Sequence, residues 1–114
     1  MANDNERWII DAGDTVVQRR IAHGMARLKP LDRLIYCLWI ADYGMRNAGD
    51  LAAACDLYAS FQDEASQLSK ELVLTVTQSA FALPRAKLEQ QYFQRFDAIC
   101  DEIRGAQRAD SLRG

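Results

Sequence analysis

The chain has 114 residues, of which 49% are hydrophobic and 26% charged, with a formal net charge of −2. That length holds one domain with a true core and excludes a second, and the mild acidity argues against direct binding of nucleic acid. Only 6 glycines and 2 prolines interrupt it, so long helices are favoured over a turn-rich β architecture.

The first helix is predicted from Asn5 to His23. Asn3, Asp4 or Asn5 caps it, Glu6 suits its positive end, and Arg19, Arg20 and His23 suit its negative end. Gly24 is placed to end it. Two apolar stripes run along it at helical spacing: Ile9, Ala12 and Val16, then Ile10, Val17, Ile21 and Met25. One stripe serves the core. The other, through Ile10, Val17 and Ile21, is expected to meet a second copy of the chain in a homodimer. Gly13 and the run Thr15-Val16-Val17 are poor helix formers and count against this element.

Arg19, Arg20, Arg27, Lys29 and Arg33 crowd the first interhelical loop. They lack the interleaved aromatics or the recognition helix that nucleic acid requires. His23 is the only histidine, with no second ligand at metal spacing, and is expected to lie against the last carbonyls of its own helix. No metal and no cofactor are predicted.

Pro30 suits a first helical position, and residues 31–46 are predicted to form the central, buried helix. Leu31, Leu34, Ile35, Leu38 and Met45 line one face, while Tyr36, Ile40 and Tyr43 cover most of the other. Asp42 falls inside that apolar face, where a carboxylate needs hydrogen bonds or a counter-charge. The nearest free donors in sequence are the amides of the turn Asn47-Ala48-Gly49-Asp50, so Asp42 is expected to tie down that turn. The competing reading is a general acid or base of raised pKa. No nucleophile is placed beside it, which favours the structural role, and no catalytic residue is predicted.

Asn47 and Gly49 tolerate the left-handed conformation that ends a helix, and Asp50 suits the start of the next. A short helix, Leu51 to Tyr58, follows. A longer one is predicted from Phe61, with Ala65, Leu68, Leu72, Val73, Val76 and Ala80 on one face, closing at Phe81-Ala82-Leu83-Pro84. The last helix opens at Pro84, carries Leu88, Tyr92, Phe93, Phe96, Ile99, Cys100 and Ile103, and ends at Gly105. Residues 106–114 are expected to fray.

Two groups of acids stand out: Asp50, Asp56, Asp63 and Glu64 around the short helix, and Asp97, Asp101 and Glu102 on the last one. Such faces are usually only solvated. As functional groups, Asp56, Asp63, Glu64, Asp97, Asp101 and Glu102 would meet a basic protein partner or imitate the spaced phosphates of DNA. A faint helix-turn-helix pattern over residues 50–72 carries Asp63, Glu64 and Glu71 where phosphates would lie, which excludes it.

Cys37, Cys55 and Cys100 are scattered within helical apolar patterns and read as reduced thiols of a cytoplasmic protein. The opening Met-Ala-Asn-Asp-Asn-Glu-Arg-Trp has no basic stretch before an apolar one, so no signal peptide is expected. The apolar run from Leu34 to Ala41 is too short to span a membrane.

The segment from Leu31 to Leu51 resembles a family of small bacterial helical domains of unknown function that includes a DNA-mimic protein. Arg33, Trp39, Asp42, Asn47 and Gly49 stand at positions matching that family's arginine, helical tryptophan, acid and Asn-Gly-Gly turn. Ala48 replaces one glycine, and Asp50-Leu51 replaces an aromatic. Tyr92 to Ile103 is similar to the family's last helix. The resemblance implies an all-helical fold and a protein-binding role. The combined expectation is one all-α domain, residues 1–114, a bundle of four long helices and one short one. Its predicted function is that of a non-catalytic cytoplasmic regulatory module, with DNA mimicry and a small enzyme built on Asp42 as the alternatives.

Overall fold

The computed structural model describes residues 4–112. Its elements are α1 (Asp4–His23), a 3₁₀ turn (Met25–Arg27), α2 (Pro30–Ala48), α3 (Ala52–Leu57), α4 (Phe61–Glu71), α5 (Thr75–Phe81) and α6 (Arg85–Leu112). The chain is all-helical, and among the described residues no helix is long and apolar enough to cross a membrane. Among the described residues the bundle holds six α-helices rather than four long and one short.

The first difference lies at Val73. The helix predicted to run from Phe61 to the Phe81 region stops at Glu71 and restarts at Thr75. The Leu74 N–H donates to the Ser69 carbonyl at 2.8 Å, and the Val73 N–H donates to the Lys70 carbonyl at 3.1 Å. That is the Schellman closure, which normally places glycine at the residue of positive φ. Here a β-branched valine sits there, at φ 58° and 77% exposed. Left-handed geometry costs an L-residue about 1–2 kcal/mol. Leu74, buried by the reversal, offsets it.

The second difference is Gly105, which does not end the last helix. Arg104 and Gln107 bond side chains of α1, and Ile103 is fully buried. These contacts outweigh the cost of about 1 kcal/mol for a mid-helix glycine. Helix α6 therefore runs on to Leu112, through most of the stretch expected to fray.

Helix α2 is the centre of the bundle and packs on α1, α3, α4 and α6. It buries Leu34, Ile35, Leu38, Ile40 and Ala41 completely. Helix α1 runs antiparallel to it, as successive contacts show: Arg19 pairs with Asp32 at 2.9 Å, Arg20 lies over the Tyr36 ring, and Glu6 pairs with Arg46 at 3.0 Å. Between those levels Gly13 lies directly on Trp39. A Cβ there would sit 2.2 Å from Trp39 Cδ1, so only glycine allows the approach. Ile9, Gly13 and Val16 form the buried stripe of α1, whereas Ile10 and Ile21 stay exposed and Val17 is half-buried. At the far end of α2, Gly49 takes φ 75° and closes the helix through its N–H on the Met45 carbonyl, as its sequence position predicts.

Candidate functional site

Asp42 is 5% exposed and turns toward α6, not toward the turn that follows its own helix. Its Oδ1 accepts the Tyr92 hydroxyl at 2.7 Å, and both its oxygens accept from Arg46 Nε at 3.0 Å. The expected bonds to the turn amides are absent among the described residues, for a simple geometric reason. Helical side chains lean toward the N-terminus, so Asp42 points away from a turn on its C-terminal side. That turn is closed by other groups: Leu51 N–H donates to Glu89 at 2.7 Å, Ala52 N–H to Asp50 at 3.0 Å, and Asn47 Nδ2 to the Tyr43 carbonyl at 2.8 Å.

Arg46 joins three helices at this point. Besides Asp42 it holds Glu6 of α1, and its guanidinium lies 4.8 Å from the Phe96 ring centre and 5.2 Å from that of Phe93, both on α6. Burial pushes the Asp42 carboxyl up, against the opposing pull of the Tyr92 hydrogen bond and Arg46. Burial, and then the Asp42 charge, push the Tyr92 hydroxyl well above its ordinary value, so it stays a neutral donor. The cluster thus holds a carboxylate, a phenol and a guanidinium satisfied by one another. Its acid is buried, and Arg46 is held from two sides, by Asp42 and by Glu6.

Around Arg46 three large apolar side chains reach the surface: Phe93 at 51%, Tyr43 at 48% and Ile10 at 59% exposure. Tyr43 lies one turn before Arg46 on α2, and Ile10 one turn after Glu6 on α1, so both border the ion pair. Exposed acids flank this face: Asp11 and Asp14 on α1, and Asp97 and Asp101 on α6.

The acids singled out from the sequence are not one free surface. Asp97 and Asp101 both accept from Asn5 Nδ2, at 3.0 and 3.2 Å. Glu102 is fully engaged: its two oxygens accept the Val76 and Thr77 amides at 3.0 and 2.8 Å and so cap α5. Glu64 accepts from Arg33 at 2.7 Å and from the Tyr58 hydroxyl. Asp56 and Asp63 remain exposed. His23 is exposed at the end of α1, and its side chain makes no hydrogen bond among the described residues, so the expected bond to its helix carbonyls is not formed.

Cys37 and Cys100 are buried and Cys55 is half-buried, all unbridged. Burial pushes the Cys37 and Cys100 thiols up, so they stay protonated. Among the described residues no three His, Cys, Asp or Glu side chains gather as a metal site would need.

Sequence reasoning missed Arg46 and Tyr92 as partners of Asp42, yet a signal for each was present. Asp42 and Arg46 stand at the i, i+4 spacing of helical ion pairs. Tyr92 lies within an apolar stripe and carries a hydroxyl that has to find an acceptor. No family model, curated protein or solved structure matches the chain.

Proposed function

We propose that this chain is a non-catalytic protein-binding module and that its contact face is centred on Arg46. The observation that carries this reading is the exposure of Phe93, Tyr43 and Ile10 around a guanidinium already held by Asp42 and Glu6. Arginine and aromatic residues are the groups that dominate binding energy at protein interfaces. A guanidinium fixed before binding loses little further freedom when a partner arrives. The flanking Asp11 and Asp14 suit a basic partner segment, whose apolar side chains would cover Phe93 and Tyr43. Glu64 and Glu102 are engaged in internal bonds, which favours this mixed apolar and charged contact over imitation of two phosphate rows. Three unpaired thiols suit work in a reducing cytosol.

Site-specific photo-crosslinking tests the reading in cells. A benzophenone amino acid at position 43 is expected to capture a basic protein, and the same probe at position 63 is expected not to. The captured protein, once purified, binds the wild type with strong salt dependence and binds Phe93→Asp much more weakly, while that variant melts as the wild type does. Crosslinks only between two copies of the chain would assign this face, with Ile10, Val17 and Ile21, to the homodimer instead. Capture at position 63 and not at 43 would overturn the proposal.

A further inference from the structure

Helix α1 packs on α2 and α6 through Ile9, Gly13 and Val16, and this leaves a second apolar row along its flank. Ile21 is 71% exposed, Ile10 is exposed as well, and half-buried Val17 lies between them. At positions i, i+7 and i+11 the three share one side of the helix. A lone exposed isoleucine is ordinary, but this row runs over three turns. The charges of the same helix indicate what covers it. Glu6 is held by Arg46 and Arg19 by Asp32. Asp4, Asp11 and Asp14, in the first half of α1, are exposed and make no ion pair among the described residues, with Arg7 among them. Arg20 in the second half, and Arg27 and Lys29 in the loop that follows, are equally exposed and without an ion pair among the described residues. An apolar row that runs from acidic to basic is complementary to itself when turned end for end.

We infer that two copies of the chain pair through α1, antiparallel about a two-fold axis, with Ile10 of each on Ile21 of the other and both Val17 side chains near the axis. In that register Asp4 stands near the level of Arg27 of the second copy, and Asp11 at the level of its Arg20. Packed helices lie about 8–10 Å apart, comparable with the Debye length of about 8 Å at physiological salt. The attraction therefore acts between the two halves and needs no pair in direct contact. A parallel arrangement would set like charges level with each other, and would align the two helix dipoles unfavourably. The pair takes Ile10 from the edge of the Arg46 face and leaves Phe93, Tyr43 and Arg46 open, with Asp11 and Asp14 on its solvated rim. It does not depend on that face binding a partner.

Sedimentation of the purified full chain tests the inference. An interface of one helix face belongs to the weak class, so a dimer with a Kd of about 10–100 µM at low salt is expected. Raising salt from about 0.05 to about 0.5 M is expected to weaken it about threefold or more. Ile21→Glu is expected to stay monomeric at about 500 µM, and to melt as the wild type does at a concentration below the Kd. Phe93→Asp is expected to dimerise like the wild type, which separates this contact from the Arg46 face. Cysteine pairs read the register under mild oxidation. A mixture of Ile10→Cys and Ile21→Cys chains is expected to form a covalent dimer, whereas either variant alone, and the wild type, is not. A monomer at about 500 µM, a dimer that survives Ile21→Glu or is lost with Phe93→Asp, tightening by salt, or crosslinks from either cysteine variant alone would each overturn the inference.

Discussion

Replacing Asp42 by leucine removes the acceptor that the Tyr92 hydroxyl has among the described residues, a group wholly buried between α2 and α6. A buried hydroxyl left without a partner costs about 1–3 kcal/mol. Arg46 keeps Glu6 and the Phe93 and Phe96 rings, so its own loss is smaller. The single variant Asp42→Leu should therefore lose about 2 kcal/mol, near 8 °C in melting temperature for a chain of this size. Tyr92→Phe removes the donor and leaves Asp42 with Arg46, at about 1 kcal/mol. The double variant has neither the orphaned hydroxyl nor the buried carboxylate. It should be more stable than Asp42→Leu alone, with a coupling of about 1–2 kcal/mol in its favour. Urea unfolding of the four proteins measures this cycle. Additivity within about 0.5 kcal/mol would refute the claim that these two groups exist for each other.

Three further outcomes follow from the same structure. Because burial raises the folded Asp42 carboxyl above its unfolded value of about 3.9, the folded state holds that proton more tightly. The stabilisation is therefore fullest below that value and fades as pH rises through the folded pKa; the stability of wild type minus Asp42→Asn should fall from acid to neutral pH, and a rise would contradict it. Val73→Gly should raise stability by about 1 kcal/mol in thermal melts, since glycine adopts φ 58° without strain; a loss would mean that the valine side chain has a packing role. Gly13→Ala would gain helix propensity elsewhere, but here its methyl collides with Trp39 and should cost about 1–3 kcal/mol, read as an earlier urea midpoint.

Patterns within the sequence were sufficient for the all-helical class, the start of α2 at Pro30, the turn at Gly49 and the burial of α2. These depend on local chemistry: apolar periodicity, the φ of proline and glycine, and caps within a few residues. The break at Val73 was hidden because valine is not a residue that normally marks a helix end, and only the burial of Leu74 makes the reversal worthwhile. Gly105 misled in the opposite direction, since contacts of Arg104 and Gln107 with α1 hold the helix through it. Asp42 shows where local reading stops. Its position on an apolar face told that it must have partners, but the donors nearest in sequence were not those nearest in space. Tyr92, 50 residues away, reaches it only because α6 packs across α2. A hydrogen bond forms wherever the folded chain brings a donor within about 3 Å, and sequence distance has no part in that condition.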